Sequence, residues 1–368
     1  MNISIILLAI ITIVALTYYF LKDIIRVISK EKIHMKAGCM TFDIINEKMF
    51  VWNKINDHLV KLRFDTGATQ YFITDKALFG GKQNLYKTVD ISLADNYKLK
   101  SYLGLINFEN NLISGKPLSA SYIDRTVNQC DDTKGHFSLV NFVDEKKEIE
   151  LNFEKNQISS GNQIRSKLDY TEIDLKVELS GIIKIKITVD GKEDWFIFDT
   201  GALSTIIFPF QNTKYNFIDF QAITPDKNHI KSIRTFENVP VIFGKEKLWV
   251  DINNSEKVTR YLVGIMFIKK FNWILDFKNK KAYYKKIDEN QIIKSFQNDY
   301  AVRNINNNLI ISAKNIKKTE FDIGDAIVSV DHKKINTTNL CQMQQLLNQE
   351  KNWDQRQVQI KKLVNKII

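Results

Sequence analysis

The sequence Phe-Asp-Thr-Gly-Ala occurs twice in this chain, at residues 64–68 and again at residues 198–202. Each copy follows an apolar, strand-like run, so Asp65 and Asp199 are both predicted to lie where a strand ends in a tight turn. One acid in such a place is unusual. Two acids in matched surroundings restrict the possible folds more than any other feature of the chain.

The repeat is longer than the five shared residues. The offset that separates Asp65 from Asp199 also pairs residues 56–57 with residues 190–191, and each polar pair interrupts two strand-like runs as a β-hairpin turn does. The same offset matches the apolar residues that follow each motif. We therefore predict an internal duplication of a small β-lobe, with one acid in each lobe.

Short strands are predicted for most of the chain. The composition of the 368 residues, 44% hydrophobic and 26% charged, is that of an ordinary globular protein with two or three domains. From residue 31 to residue 288, short runs rich in Ile, Val, Phe and Tyr alternate with Asn, Asp and Gly. Each lobe has a predicted hairpin after its acid, at residues 91–105 and 220–235, and a similar closing sequence, at residues 150–154 and 274–278.

The pattern changes after residue 291. Residues 309–313 and 326–330 read as strands, residues 340–347 as an amphipathic helix and residues 358–361 as a last strand. These elements predict a separate small α+β module.

The N-terminal residues 3–21 carry no charge and are almost entirely apolar, which is close to the roughly 20 residues that cross a bilayer as a helix. The alternative is a cleaved signal peptide, but no basic segment precedes the run and no small-residue cleavage pattern follows it. We therefore predict a single-pass membrane protein, anchored in the lipid bilayer by residues 3–21 within an N-terminal segment 1–30. The basic residues after the run favour a cytoplasmic body, whereas the chemistry below favours export, so the side of the membrane stays open.

The net charge of +11 raises the question of a nucleic-acid partner. The lysines are spread along the whole chain, and no arginine-rich or aromatic-interleaved motif accompanies them. We predict a basic surface without nucleic-acid binding.

The cysteines and histidines suggest neither a disulfide framework nor a metal site. Cys39, Cys130 and Cys341 are few and far apart; a single Cys39–Cys130 bridge is possible, but we do not expect it. The five histidines have no metal-ligand spacing. No metal and no cofactor are predicted.

Asp65 and Asp199 are the candidate catalytic residues. Two carboxyls that face each other in a buried site cannot both ionise easily, so the pair holds one proton and offers a base and an acid at the same pH. Such a pair can take a proton from water while it gives one to a carbonyl oxygen. The chemistry that follows is direct hydrolysis of a peptide bond, without a covalent intermediate.

The residues after each acid suit this chemistry. Gly67 and Gly201 would let backbone amides approach the carboxylates, and the hydroxyls of Thr66 and Thr200 can bond across to the opposite loop. No Ser or Cys nucleophile is presented in a comparable motif.

The chain resembles the aspartic proteases of the pepsin and retropepsin kind, in which an apolar residue followed by Asp-Thr-Gly marks the catalytic loop. The second lobe matches at residues 198–202, and its Leu-Val-Gly at 262–264 is similar to the apolar-apolar-Gly sequence beside that loop in the family. The first lobe matches at residues 64–68, but the residues before Gly135 are Thr and Lys rather than two apolar residues.

The resemblance covers about residues 36–288. It implies a mostly β fold with two retropepsin-like β-barrel lobes, residues 31–160 and 161–288, that form a pepsin-like pseudo-dimer. It also implies cleavage of a peptide or protein substrate by a monomer. Asp276, in the second closing sequence, is interpreted as a structural turn residue.

The C-terminal residues 291–368 resemble a PDZ domain, because residues 320–331 are similar to that family's Gly-Asp, apolar strand and turn. The helix at 340–347 falls where the groove-lining helix lies. The resemblance implies binding of a peptide as an additional strand, although the glycine-rich carboxylate-binding loop is not recognisable.

Two hypotheses from different classes follow. The first is a membrane-anchored aspartic endopeptidase whose PDZ-like module recognises substrates or partners. The second is an inactive membrane-anchored peptide-binding protein that uses the cleft between the lobes and the PDZ-like groove. Both aspartates and both threonines are present, which favours the enzyme.

Overall fold

The computed structural model describes residues 32–80, 85–88, 91–92, 98–123, 130, 132–224, 229–255, 260–295, 298–349 and 353–362. The described chain is mostly β, as predicted.

The prediction of a single-pass membrane protein is contradicted. Within the described ranges no helix is long and apolar enough to cross a bilayer. The longest of these helices, Leu340–Gln349, has 10 residues, which corresponds to about 15 Å against a hydrocarbon core of about 30 Å. The segment 3–21 itself lies outside the described residues.

The first lobe holds fourteen described strands, one short α-helix and two 3₁₀ turns. They are β1 (Ile33–Met35), β2 (Gly38–Thr41), β3 (Asp43–Ile45), β4 (Lys48–Ile55), β5 (His58–Phe64), β6 (Phe72–Ile73), a 3₁₀ turn (Lys76–Phe79), β7 (Tyr86–Lys87), β8 (Ile91–Ser92), β9 (Lys98–Leu99), β10 (Ser101–Glu109), β11 (Ile113–Ile123), β12 (Gly135–Phe137), α1 (Val140–Asp144), β13 (Glu148–Asn152), β14 (Gln157–Ser160) and a 3₁₀ turn (Gly161–Gln163).

The second lobe repeats this plan. Its described elements are β15 (Thr171–Val177), β16 (Ile183–Val189), β17 (Lys192–Asp199), β18 (Ile206–Ile207), β19 (Phe217–Ile223), β20 (Ile230–Phe243), β21 (Glu246–Ser255), β22 (Leu262–Gly264), α2 (Ile265–Ile268), β23 (Phe271–Asp276), β24 (Lys281–Lys286) and β25 (Ile292–Ile293).

The C-terminal module is smaller. It consists of β26 (Tyr300–Ile305), β27 (Asn308–Asn315), β28 (Ala326–Val330), β29 (Lys333–Lys334), α3 (Leu340–Gln349), a 3₁₀ turn (Trp353–Gln355) and β30 (Val358–Lys361).

The duplicated hairpins form as the sequence predicts. Asn56 and Asp57 join β4 to β5 with positive φ angles of 45° and 70°, and Asp190 and Gly191 join β16 to β17 with 47° and 82°. Asn, Asp and Gly tolerate this left-handed conformation, which the two-residue turn of a tight hairpin requires. Each hairpin therefore delivers its second strand, β5 or β17, to an Asp-Thr-Gly-Ala turn.

A six-stranded sheet joins the lobes, in the order β2–β14–β13–β23–β24–β15. At its centre the two closing sequences pair with each other, with Ile149 opposite Leu275 and Glu150 opposite Ile274. Both lobes share one continuous apolar core that includes Phe64, Phe198 and Trp273. Asp276 accepts hydrogen bonds from Asn279 in the β23–β24 turn, which is the structural role that the sequence analysis gave it.

The C-terminal module has its own core and is attached to the second lobe by strand pairing. Residues of β19 pair with β27, with Gln221 opposite Lys314, so the module extends the sheet of the β19–β20 hairpin. Its predicted strands and helix are present at nearly the predicted positions.

The outer edge of β26 is covered by side chains of α3. Asn348 accepts from the Val302 amide at 2.8 Å and donates to the Val302 carbonyl at 3.0 Å, and Gln344 accepts from the Asn304 amide at 2.7 Å. These are backbone groups that an added strand would use.

The structure has one disulfide, between two cysteines that the sequence analysis did not pair. Cys130, in the first lobe, forms a disulfide with Cys341 of α3, and Cys39 is free. The partners are 211 residues apart, so the sequence held no local signal for the pairing.

Candidate active site

The two acids meet at the junction of the lobes. Asp65 follows β5, and Asp199 is the last residue of β17. In each lobe a parallel strand supports the loop, since β12 pairs with β5 and β22 pairs with β17. The buried Phe64 and Phe198 precede the two acids and fix the ends of the strands in the core.

The threonines of the two motifs form a reciprocal set of hydrogen bonds across the junction. Thr200 Oγ1 donates to the Phe64 carbonyl at 3.0 Å and accepts from the Thr66 amide at 3.1 Å. Thr66 Oγ1 donates to the Phe198 carbonyl at 2.6 Å and accepts from the Thr200 amide at 3.0 Å. Both side chains are buried. Each loop therefore holds the other, and the acids cannot move independently.

Gly67 and Gly201 allow the backbone of each loop to lie close to the carboxyl group of the other lobe. The Gly67 amide donates to Asp65 Oδ1 at 3.1 Å, and the Gly201 amide donates to Asp199 Oδ1 at 2.8 Å. A Cβ on Gly67 would lie 2.5 Å from Asp199 Cγ, which no real contact of that kind permits. Each glycine thus lies against the carboxyl of the other lobe, and a larger residue would push the two acids apart.

The two carboxyls have opposite protonation tendencies. Burial and then the negative charge of Asp65 raise the pKa of Asp199 to about 8. Burial also acts to raise the pKa of Asp65, but the hydrogen bond and charge of His136, with the charge of Arg63, outweigh it and hold that pKa below its usual range. Near neutral pH the pair therefore shares one proton, and these influences favour the negative charge on Asp65.

His136 and Arg63 are site residues that sequence reasoning missed. His136 Nδ1 lies 2.7 Å from Asp65 Oδ2, and Arg63 donates from Nη2 to the Gly201 carbonyl at 2.5 Å across the junction. The two residues face each other in the β5–β12 pairing. The repeat itself held a signal for Arg63. The offset between the two motifs aligns Arg63 with Ile197, so a charged residue in the first lobe corresponds to an apolar residue in the second.

The supporting segment of the first lobe lies after Gly135, the position that the sequence analysis compared with the family. Gly135 is not the counterpart of Gly264. Because Phe137 pairs with Phe64 as Val263 pairs with Phe198, the true counterpart of 262–264 is 136–138, His-Phe-Ser. A short helix follows in both lobes, α1 and α2.

The last residue of the supporting segment lies against the carbonyl of the motif alanine in both lobes, but by different contacts. In the second lobe only glycine fits at position 264, because a Cβ there would lie 2.7 Å from the Ala202 carbonyl oxygen, which is too close. In the first lobe Ser138 occupies this position, and its hydroxyl donates to the equivalent carbonyl, that of Ala68, at 2.5 Å. The first lobe thus has a supporting segment of the same design with a hydrogen bond in place of close packing.

The hairpins predicted after each acid are present in part. In the second lobe β19 and β20 pair from Phe217–Phe236 to Ile223–Ile230, and in the first lobe β8 pairs with β9. The tips of both hairpins, at 225–228 and 93–97, lie outside the described residues.

No protein-family model matches the chain, and no curated protein matches its sequence. Among solved structures, the chain is similar to the crystal structure of basic 7S globulin from soybean, with a TM-score of 0.42 and 8% sequence identity; the similarity covers 68% of this chain and 95% of that chain. A similarity of this size assigns neither a family nor a function. The function proposed below therefore rests on the geometry of the site.

Proposed function

We propose that the chain is an aspartic endopeptidase in which Asp65 and Asp199 together activate a water molecule. The observation that carries the proposal is the pairing of two half-buried carboxyls with opposite pKa shifts, held together by the crossed bonds of Thr66 and Thr200. Structural ion pairs also shift pKa values, but they need no such reciprocal clamp between two loops.

The protonation pattern gives each acid a role. The Asp65 carboxylate takes a proton from water as its oxygen attacks the peptide carbonyl carbon, and Asp199 gives its proton to the carbonyl oxygen. The product of this step is a neutral gem-diol. In the second step the diol returns a proton to Asp199, the amide nitrogen takes the proton from Asp65, and the C–N bond breaks to give an acid and an amine.

Both acids come from one chain, which supports activity as a monomer. The lobes are joined by the six-stranded sheet and a common core. A second copy of the chain is therefore not needed to complete the pair.

The C-terminal module has a separate proposed role. We propose that it holds the β19–β20 hairpin beside the site, because β27 pairs directly with β19. Peptide recognition by this module stays a prediction. A peptide that added to β26 would first have to displace the Asn348 and Gln344 amides.

The test is digestion of a diverse peptide pool by the full chain between pH 4 and pH 8, with products identified by mass spectrometry. The parent should cleave, and Asp65→Asn and Asp199→Asn should not. Asp57→Asn is the matched control: its side chain is 91% exposed in the hairpin turn before Asp65, and asparagine tolerates its positive φ. Cleavage by either dyad variant at the parent rate would remove that residue from the mechanism. Binding of peptides without cleavage by the parent would favour the inactive peptide-binding protein.

A further inference from the structure

The two lobes differ in charge at one place beside the acids. In the first lobe the parallel strands β5 and β12 place Arg63 opposite His136. In the second lobe the equivalent strands β17 and β22 place Ile197 opposite Leu262. Two cationic or polar side chains thus take the positions of two apolar ones. Ile197 and Leu262 are buried in a small apolar cluster with Ile182, and neither can donate a hydrogen bond to Asp199.

His136 reaches the oxygen of Asp65 that the backbone does not hold. The Gly67 amide donates to Asp65 Oδ1, while His136 Nδ1 lies 2.7 Å from Oδ2. The carboxyl is 13% exposed and the imidazole 26% exposed, so the bond is shielded on most sides. The Phe72 ring of β6 packs edge-on against the imidazole, with ring centroids 6.2 Å apart.

We propose that His136 is a positioning residue that determines which acid of the pair carries the proton: its Nδ1–H binds the Asp65 carboxylate and leaves the shared proton on Asp199. This inference rests on the proposed function. A carboxylate gains more from a charge-assisted donor than a neutral carboxyl does, so a donor on one acid only makes the pair unequal. Without this donor the preference for a proton on Asp199 would be weaker, and a larger share of the molecules would present the pair in the reverse orientation.

The groups that face His136 agree with this assignment. From β5 it faces Arg63, from the turn after β5 the Asp65 carboxylate, and from β6 the uncharged Phe72. Arg63 also favours a negative charge on Asp65. The first lobe therefore forms the anionic half of the pair and the second lobe the neutral half.

The test compares His136→Leu, which copies the second lobe, with His136→Asn, which keeps an N–H donor near the Nδ1 position. The acidic limb of the pH–activity profile reports protonation of Asp65, and the basic limb reports loss of the proton on Asp199. In His136→Leu the acidic limb should move to higher pH by about one to two units, while the basic limb stays in place. His136→Asn should reverse most of the shift. His58→Leu, at the exposed start of β5, is the matched control and should leave both limbs unchanged.

A second readout does not depend on turnover. The ¹³C chemical shift of the Asp65 carboxyl, followed by NMR against pH, should show the same one-to-two-unit rise in His136→Leu. If the parent cleaves no peptide, the proposed function fails, but this titration still decides the role of His136. An Asp65 titration that is unchanged in His136→Leu would overturn the inference. So would a fall in activity at all pH values with both limbs in place, which is the signature of a merely structural role.

Discussion

Replacement of Thr200 by valine should destabilise the protein strongly, because its hydroxyl satisfies two buried backbone groups of the other lobe. Thr200 Oγ1 donates to the Phe64 carbonyl and accepts from the Thr66 amide. Valine has nearly the same volume, so the change removes the hydrogen bonds with little effect on packing. A buried polar group without a partner costs about 1–3 kcal/mol, and two such groups give an expected loss of about 2–6 kcal/mol.

The assay is urea unfolding at pH 6, followed by circular dichroism and by tryptophan fluorescence. Thr200→Ser keeps the hydroxyl and should lose only about 1 kcal/mol, for the missing methyl group. Thr213→Val, at an exposed position in the same lobe, should change the free energy of unfolding by less than about 0.5 kcal/mol. If Thr200→Val were as stable as Thr213→Val, the crossed bonds would not hold the lobes together and the reasoning would be refuted.

Three further predictions follow from the site and from the module. Gly201→Ala should lower kcat about 100-fold or more in a peptide-cleavage assay, because the added methyl must displace the Asp65 carboxyl, and a misplacement of about 1 Å has that effect. The pKa of Asp199 is raised from 3.8 to about 8 in the folded state. Between these two pH values the folded state keeps the Asp199 proton, whereas the unfolded state has lost it. The resulting contribution to stability is therefore complete below pH 3.8 and is lost as the pH rises to about 8. Asp199→Asn should therefore be destabilised less than the parent by the change from pH 5 to pH 8, measured by urea unfolding at both values, and an equal pH dependence would contradict the shift. Asn348→Ala leaves the amide and carbonyl of Val302 without their side-chain partner and should cost about 1–3 kcal/mol in the same assay, whereas a neutral effect would show that water replaces the side chain freely.

Much of the β architecture was predictable because its signals are local. The polar pairs at 56–57 and 190–191 carry their own turn conformation, and the repeated offset identified the two lobes. The strands at 326–330 and 358–361 have the predicted bounds, since apolar runs between turn residues define them. The two similar closing sequences, at 150–154 and 274–278, pair with each other in the structure.

The features that could not be predicted depend on partners far apart in the chain. His136 and Asp65 are 71 residues apart, and β12 has only three residues, too few for a periodic pattern. The supporting segment at 136–138 could not be located from the sequence, because the strand register alone aligns Ser138 with Gly264. The disulfide between Cys130 and Cys341 joins a first-lobe residue to the C-terminal helix, and no spacing rule reaches across 211 residues.

The most direct test of the account separates catalysis from binding for one cleaved peptide. For Asp65→Asn and Asp199→Asn, kcat/KM should fall about 10³-fold or more, because each variant removes either the base or the acid. The Kd for the same peptide, measured with the scissile amide replaced by a non-hydrolysable methylene-amine, should change by less than about tenfold, or 1.4 kcal/mol, since the fold and the cleft remain. A cleavage rate above one tenth of the parent rate in either variant would contradict the claim that these two aspartates form the catalytic pair.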